Sequence, residues 1–175
     1  MPMGHLTDEM LEAIRPVVVG KEVWDLGAGD GGHARTLLAL GASRVFCVDK
    51  EPLPQVWKGI TSIHARFEDI PSGTPIAVAF VSWPVNWPLP HLNRLVGQAE
   101  RVIYLGSNTG GSACGTMGLF VGMADRQLLA HVPHYRNSLL VYGEPGVRKE
   151  PLTGEEWAVL SGSQVDFEEA QRLGR

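Results

Sequence analysis

The residues best suited to chemistry lie in the stretch VWDLGAGDGG, where an apolar run ends in a cluster of glycines. Gly27, Gly29, Gly31 and Gly32 lack a Cβ atom, so the chain can turn sharply there and a ligand can touch main-chain amides. Asp49 closes the next apolar run, where a carboxylate can accept hydrogen bonds from both hydroxyls of a ribose. The spacing therefore predicts a turn that holds a ribose-containing ligand.

Two classes of ligand suit this turn. The segment GAGDGG satisfies the dinucleotide pattern, in which a helix N-terminus faces a pyrophosphate. Asp25 precedes the first glycine and opposes that interpretation, because a fixed negative charge beside a phosphate is unfavourable. The same charge favours S-adenosylmethionine, which carries a sulfonium and an ammonium group and no phosphate. The charge pattern favours the methyl donor, and a nicotinamide-dependent oxidoreductase is the alternative.

Predicted strands and helices alternate over the first hundred residues. The predicted helices are LTDEMLEAIRP, capped by Thr7 or Asp8 and ended by Pro16, then GHARTLLALG, ended by Gly41, and LNRLVGQA. The predicted strands are KEVWDLG, SRVFCVDK, ITSIHA, IAVAFV and RVIYLG. This alternation predicts an α/β fold with a doubly wound, mostly parallel sheet.

The last two predicted strands, in RQLLAHVPHY and SLLVYG, are too close in sequence for a helical crossover, which predicts a C-terminal antiparallel hairpin. The composition turns polar and acidic beyond it. We therefore expect one domain over residues 1–149 and an appendage over residues 150–175, with a short helix starting at Thr153.

VWDLGAGDGG followed by VFCVDK resembles the first two motifs of the class I S-adenosylmethionine-dependent methyltransferases, and the likeness extends over roughly residues 1–145. That family also has a terminal antiparallel hairpin. The resemblance implies that four residues line the methionine end of the cofactor: Asp25, Gly27, Ala28 and Gly29. It implies that Asp49 holds the ribose and that Lys50 or Glu51 lies beside the adenine.

The adenine side departs from the family pattern. The family often has an acid after the third strand, and that place falls here on Arg66. Either Glu68 or Asp69 contacts the adenine amino group from a shifted loop, or the backbone around Phe67 does so alone. Phe67 and Glu68 are accordingly predicted as cofactor-binding residues.

The resemblance also assigns a role to the segment SWPVNWP at the end of the fourth strand. Amino-group methyltransferases carry Asp, Asn or Ser there, followed by Pro-Pro and an aromatic residue. A side-chain oxygen and a carbonyl that accept the two amine hydrogens localise the nitrogen lone pair, and an aromatic face stacks on a base for about 1–3 kcal/mol. Ser82, Trp83 and Pro84 are predicted as catalytic residues, and Asn86 and Trp87 as substrate-binding residues. Either Ser82 or Asn86 heads the motif.

The resemblance thus implies a methyltransferase that transfers a methyl group from S-adenosylmethionine, with an amino nitrogen of a nucleic-acid base as the expected acceptor. Trp83 and Val85 stand where the family has proline and an aromatic residue. Because this match is degenerate, a non-catalytic partner subunit with the same fold stays open, as does a methyltransferase acting on a protein or small molecule. The oxidoreductase, which would use the same glycine turn, is the third alternative.

Net charge, cysteine content and hydropathy limit the partners, metals and cellular location that the sequence allows. The net charge of −4 over 175 residues supplies no general attraction to nucleic acid, so nucleic acid or a nucleic-acid-bearing complex would need a local site or a partner subunit. The two cysteines show no zinc spacing, and His131 and His134 are expected on opposite faces, so no metal is expected. No apolar run approaches the roughly 20 residues of a membrane span, and the first residues lack a secretory signal. We expect a cytoplasmic protein without a membrane partner.

Overall fold

The structure is a computed structural model of the chain, and it describes residues 4–85, 87–106, 119–120, 122–134 and 137–147. Some sequence predictions lie outside these ranges. They are the substrate-binding role of Asn86 and the appendage over residues 150–175, with its helix from Thr153.

The described residues form three α-helices, seven strands and one short 3₁₀ turn, in the alternating order predicted from the sequence. The helices are α1 (Asp8–Val18), α2 (Gly32–Leu40) and α3 (Leu89–Gln98), and the 3₁₀ turn is Phe67–Asp69. The strands are β1 (Glu22–Leu26), β2 (Arg44–Asp49), β3 (Ile60–His64), β4 (Ile76–Ser82), β5 (Ala99–Gly106), β6 (Leu128–Val132) and β7 (Ser138–Tyr142).

All seven strands belong to one sheet of order β3-β2-β1-β4-β5-β7-β6. The pairs among β1 to β5 are parallel, whereas β7 pairs antiparallel with both β5 and β6. The structure thus confirms the predicted doubly wound, mostly parallel sheet and its C-terminal antiparallel hairpin. The strand order reverses at β1 and β4, and their carboxyl ends flank the crevice where such sheets bind ligands.

Helix α1 corrects one prediction. Thr7 caps the helix as predicted, because its hydroxyl accepts a hydrogen bond from the Met10 N–H at 3.2 Å. Pro16, however, does not end the helix, which continues to Val18. Met10, Ile14 and Val18 are all fully buried at four-residue spacing, so packing of this stripe maintains the last turn despite the missing Pro16 N–H.

The two faces of the sheet carry separate apolar layers. One layer includes Met10 and Ile14 of α1 and Leu37 of α2, and the other includes Leu92 and Leu95 of α3. Cys47 is a buried free thiol in the first layer. Among the described residues, no helix is long and apolar enough to cross a membrane.

Candidate cofactor cleft

The glycine turn between β1 and α2 is tight and internally hydrogen-bonded. Gly27, Gly29 and Gly31 have φ of 78°, 55° and 77°, a backbone conformation that disfavours residues with a Cβ. The N–H groups of Gly27 and Ala28 donate to Val48 O at 2.7 and 3.2 Å. The Gly29 N–H donates to Asp49 Oδ2 at 2.9 Å. These amides are therefore already engaged and do not form an open cradle for a phosphate.

Asp49 is held in one orientation at the carboxyl end of β2. Its Oδ2 accepts the Gly29 N–H, and its Oδ1 accepts the Glu51 N–H at 3.1 Å. Each carboxylate oxygen can accept a further hydrogen bond. Asp49 therefore joins the glycine turn to the second strand and keeps acceptor capacity for two ligand hydroxyls.

A cavity of about 540 Å³ opens beside Asp49. Its lining includes five of the eight predicted cofactor-binding residues, namely Gly27, Asp49, Lys50, Phe67 and Glu68. The other lining residues are Ala65, Arg66, Val85, Trp87 and Pro88. The cavity brings acidic, basic and aromatic side chains together beside the carboxyl ends of β1 and β4, where the strand order reverses. This is the usual position of a ligand in this type of sheet.

The acids after β3 have different surroundings. Glu68 lines the cavity and lies 3.7 Å from the Arg66 guanidinium, whereas Asp69 accepts the Arg66 N–H at 3.2 Å and closes the 3₁₀ turn. Of the alternatives left open by the sequence, the structure brings Glu68 and Phe67 to the cavity and engages Asp69 in a local turn.

Asp25 lies beneath the glycine turn and, like Ala28 and Gly29, outside the cavity lining. Its side chain is 1% exposed, and its Oδ2 has no hydrogen-bond partner among the described residues. Burial, reinforced by the negative charges of Asp49 and Asp30, raises the pKa of Asp25 to about 7. A buried carboxyl with an unpaired oxygen is costly unless a ligand group satisfies it.

Because the pKa of Asp25 is raised in the folded protein, the free energy of unfolding depends on pH through this residue. Between its ordinary pKa of 3.8 and about 7, the folded protein keeps a proton that the unfolded chain has lost. Stability therefore falls as pH rises through this range. We expect Asp25→Asn to raise the melting temperature of the ligand-free protein by several degrees at about pH 8 and to change it little at about pH 4. Thermal melts across pH measure this, with Glu22→Gln, an exposed acid at the other end of β1, as control. A wild-type-like profile for Asp25→Asn would contradict the prediction.

Trp87 lies in the wall of this cavity. Its ring contacts Gly27 so closely that a Cβ at position 27 would overlap it, and its centroid lies 5.5 Å from that of Phe67 in an edge-to-face arrangement. The sequence placed Trp87 with the substrate. The structure places it against the glycine turn, where it bounds the space predicted for the cofactor.

Ser82, Trp83 and Pro84 follow one another at the carboxyl end of β4, but Trp83 has a structural environment of its own. Its φ is 48°, which is rare for a residue with a Cβ. The indole N–H donates to Asn137 Oδ1 at 3.0 Å, and the Asn137 amide donates to His5 O at 2.6 Å. Trp83 thus ties the end of β4 to the start of β7 and to the N-terminal segment.

His33 is a residue of this region that the sequence interpretation missed. Its Nε2 lies 3.2 Å from Ser82 Oγ, and its ring centroid lies 5.3 Å from that of Phe80. His33 directly follows the glycine run, at the start of α2. That position, at the same edge of the sheet as the end of β4, is a signal that could have identified it.

Arg94 was also missed, and it supports the cavity from behind. Its guanidinium donates to Phe67 O at 2.8 Å and to Ile70 O at 2.7 Å, which fixes the 3₁₀ turn against α3. Only its position on a predicted helix was evident from sequence, because the two carbonyl groups to which it donates are 24 and 27 residues away. Arg94 therefore positions Phe67 and Glu68 without lining the cavity itself.

The sequence predicts S-adenosylmethionine as the ligand of this cavity, and on that prediction we expect Arg94→Met to weaken its binding about tenfold, equivalent to about 1.4 kcal/mol. Loss of its two carbonyl contacts would release the turn that carries Phe67 and Glu68. Isothermal titration measures the affinity, with Arg101→Met as a matched loss of a positive charge outside the cavity lining. Equal affinities for Arg94→Met and the wild type would remove Arg94 from this supporting role.

The search of solved structures matches much of the chain. A candidate methyltransferase from Escherichia coli has 14% identity and a TM-score of 0.58, covering 79% of this chain and 83% of that one. A ribosomal protein L11 methylase from Lactobacillus delbrueckii subsp. bulgaricus has 18% identity and a TM-score of 0.58, covering 78% and 76%. A candidate RNA methyltransferase from Pyrococcus horikoshii has 15% identity and a TM-score of 0.59, covering 78% and 83%.

The position of β7 separates this fold from the dinucleotide-binding fold. In the latter, parallel strands follow the order 3-2-1-4-5-6, whereas here β7 lies antiparallel between β5 and β6. The chain has the class I methyltransferase fold. A scan of protein-family models and a search of curated proteins found no significant match. The fold is therefore assigned from structure, and because the sequence identities are only 14–18%, the matches establish the fold and not the activity.

Proposed function

We propose that this protein is an S-adenosylmethionine-dependent methyltransferase. The observation that carries the proposal is the chemistry of the glycine turn, which has engaged amides and three acids, Asp25, Asp30 and Asp49, on or next to it. A pyrophosphate needs free amides and would be repelled by the Asp30 and Asp49 carboxylates, and it would offer nothing to the buried Asp25 carboxyl. A ligand with a ribose, a sulfonium and an ammonium group suits the same surroundings.

The residues present fit such a cofactor. Asp49 would accept hydrogen bonds from the ribose hydroxyls, and Phe67 and Trp87 would flank the adenine, with Glu68 and Lys50 at its edge. The unpaired Asp25 oxygen suits the positive methionine end. When bound, S-adenosylmethionine supplies a methyl group activated by a positive sulfonium. The chain's part is then mainly to position the acceptor for in-line displacement.

We further propose that the acceptor is an amino nitrogen of a nucleic-acid base. Support comes from Ser82, which lies at the carboxyl end of β4 two residues before Pro84, and from the structural likeness to a candidate RNA methyltransferase. The negative net charge favours presentation by a partner subunit or complex over unaided binding. A cytoplasmic location belongs to the same proposal.

The cofactor proposal is tested by isothermal titration of the purified protein with S-adenosylmethionine, S-adenosylhomocysteine, NAD and NADP. We expect both adenosyl ligands to bind and both dinucleotides to fail. At a concentration 100-fold above its dissociation constant, a bound ligand should also stabilise the fold by about 2.7 kcal/mol, which thermal melts detect. Binding of NAD or NADP, or of none of the four ligands, would overturn the proposal.

The acceptor proposal needs a separate assay. The protein and tritiated S-adenosylmethionine are incubated in parallel reactions with total RNA, with single-stranded DNA and with a protein extract. The labelled product of each reaction is then digested and identified. Label on an exocyclic base nitrogen is the expected result. Label found only in protein or in small molecules would show that the acceptor belongs to that class and would overturn the nucleic-acid proposal. Cofactor binding with no label in any fraction would instead indicate a non-catalytic partner subunit.

A further inference from the structure

His33 and Ser82 form a pair at the point where the strand order reverses. Ser82 is the last residue of β4, and the next residue, Trp83, anchors the strand end by donating its N–H to Leu105 O at 2.8 Å. His33 is the second residue of α2, directly after the glycine turn. Its Nε2 lies 3.2 Å from Ser82 Oγ, although 49 residues separate the two in sequence. Both groups thus sit on rigid elements.

The pair also shares a face of the sheet with Asp25. Phe80 and Ser82 project to one side of β4, because alternate strand residues share a face. Asp25 is in register with Phe80 on the neighbouring strand, so its side chain projects to that side as well. The adenosine side of the cavity, around Phe67, lies with the other apolar layer. The face with Asp25 is therefore the one that suits the positive end of the cofactor.

We propose that His33 is the proton acceptor for methyl transfer and that it acts through Ser82 on an acceptor nitrogen at the carboxyl end of β4. This inference rests on the proposed methyltransferase function and adds a residue to it. His33 does not need to touch the acceptor. It orients the Ser82 hydroxyl and receives a proton from it, which makes it a positioning residue for the reaction.

The step balances in protons and electrons. The nitrogen lone pair forms the new C–N bond as the donor's C–S bond breaks and its electron pair goes to sulfur, which leaves one proton too many on nitrogen. Ser82 Oγ takes this proton while its own hydroxyl proton passes to His33 Nε2. The serine ends unchanged and the imidazole becomes a cation. His33 is partly exposed, so it can return the proton to water.

The proposal requires Nε2 of His33 to be a hydrogen-bond acceptor, so neutral His33 must carry its proton on Nδ1. Nitrogen-15 NMR of the full-length chain reads this tautomer directly, with the signal assigned by His33→Gln. We expect the Nδ1–H form in the wild type and in Ser82→Thr, which keeps the hydroxyl, and its loss in Ser82→Ala. Unchanged His131 signals, from β6, would show that each variant is folded.

A second measurement places His33 relative to the transferred group. The titration midpoint of His33 is measured by NMR with S-adenosylmethionine and with S-adenosylhomocysteine, which lacks the methyl group and the positive charge. A unit charge within roughly 10 Å at an effective dielectric of about 20 should lower the midpoint by about one pH unit. We expect this difference for His33 and none for His131.

The outcomes separate this inference from the function on which it rests. The Nε2–H tautomer in the free protein, or equal His33 midpoints with both bound ligands, would overturn the role of His33 and leave cofactor binding intact. Failure of both adenosyl ligands to bind would overturn the proposed function, and the role of His33 with it.

Discussion

Replacing Asp49 with alanine is expected to weaken binding of S-adenosylmethionine by about 100-fold or more. Hydrogen bonds to a charged group contribute about 1.5–3 kcal/mol each, so losing two of them from the ribose costs about 3 kcal/mol at least. The same change removes the acceptors for the Gly29 and Glu51 N–H groups, which lie 2.9 and 3.1 Å from the Asp49 carboxylate. Loss of the turn's shape therefore adds to loss of the ligand contacts.

Isothermal titration measures this loss, and S-adenosylhomocysteine should lose affinity to a similar degree because it carries the same ribose. Glu22→Ala is the matched control, since Glu22 is an exposed acid at the amino end of β1, outside the cavity lining. Its affinity should equal that of the wild type. A loss of less than threefold for Asp49→Ala, in a variant that still melts cooperatively, would mean that the ribose is held elsewhere.

Asp49→Asn separates the two parts of that loss. Asparagine keeps one oxygen acceptor but loses the charge and the second acceptor, so it should bind the adenosyl ligands more weakly than the wild type and more tightly than Asp49→Ala. If Asp49→Asn and Asp49→Ala lose affinity equally, the negative charge contributes more to binding than the single oxygen acceptor that asparagine retains. Affinity for Asp49→Asn close to that of the wild type would indicate that a single oxygen acceptor is sufficient and that the negative charge contributes little.

The features predicted from sequence are those set by local patterns. Gly27 and Asp49 could be placed because each ends an apolar strand-like run, and parallel strands bring their carboxyl ends to the same edge of a sheet. The short separation of β6 and β7 excluded a helical crossover, so their antiparallel pairing followed. Pro16 shows the limit of local rules, because burial of Val18 continues α1 past a residue that usually ends a helix.

The features that sequence reasoning missed depend on contacts between distant parts of the chain. The pairing of His33 with Ser82 spans 49 residues, and that of Trp83 with Asn137 spans 54. No periodicity records which side chains meet across such distances. Trp87 is similar, because its type predicted a stacking surface but only the fold shows that it faces Gly27 and Phe67. A sequence thus indicates the strands that carry a site more readily than the side chains that complete it.

Arg126 is the strongest example of such a missed residue, and Arg126→Met is expected to destabilise the protein by about 3 kcal/mol. Its side chain is 1% exposed, and its guanidinium donates to Gly143 O, Val96 O and Ala99 O at 2.8, 2.9 and 2.8 Å. Methionine fills similar space but donates nothing, so three carbonyl groups lose their donor. Each such loss costs about 1–3 kcal/mol, partly offset because a buried charge is also removed.

Chemical denaturation measures this change, which is a large part of the roughly 5–15 kcal/mol typical of a whole domain. The melting temperature should fall by about 6–12 °C. Arg15→Met removes the same charge from an exposed pair with Glu12 and should change stability by less than about 1 kcal/mol. Because Val96 and Ala99 lie where α3 meets β5, Arg126 joins that junction to the end of β7. Equal stabilities for Arg126→Met and Arg15→Met would mean that apolar packing alone holds this junction together.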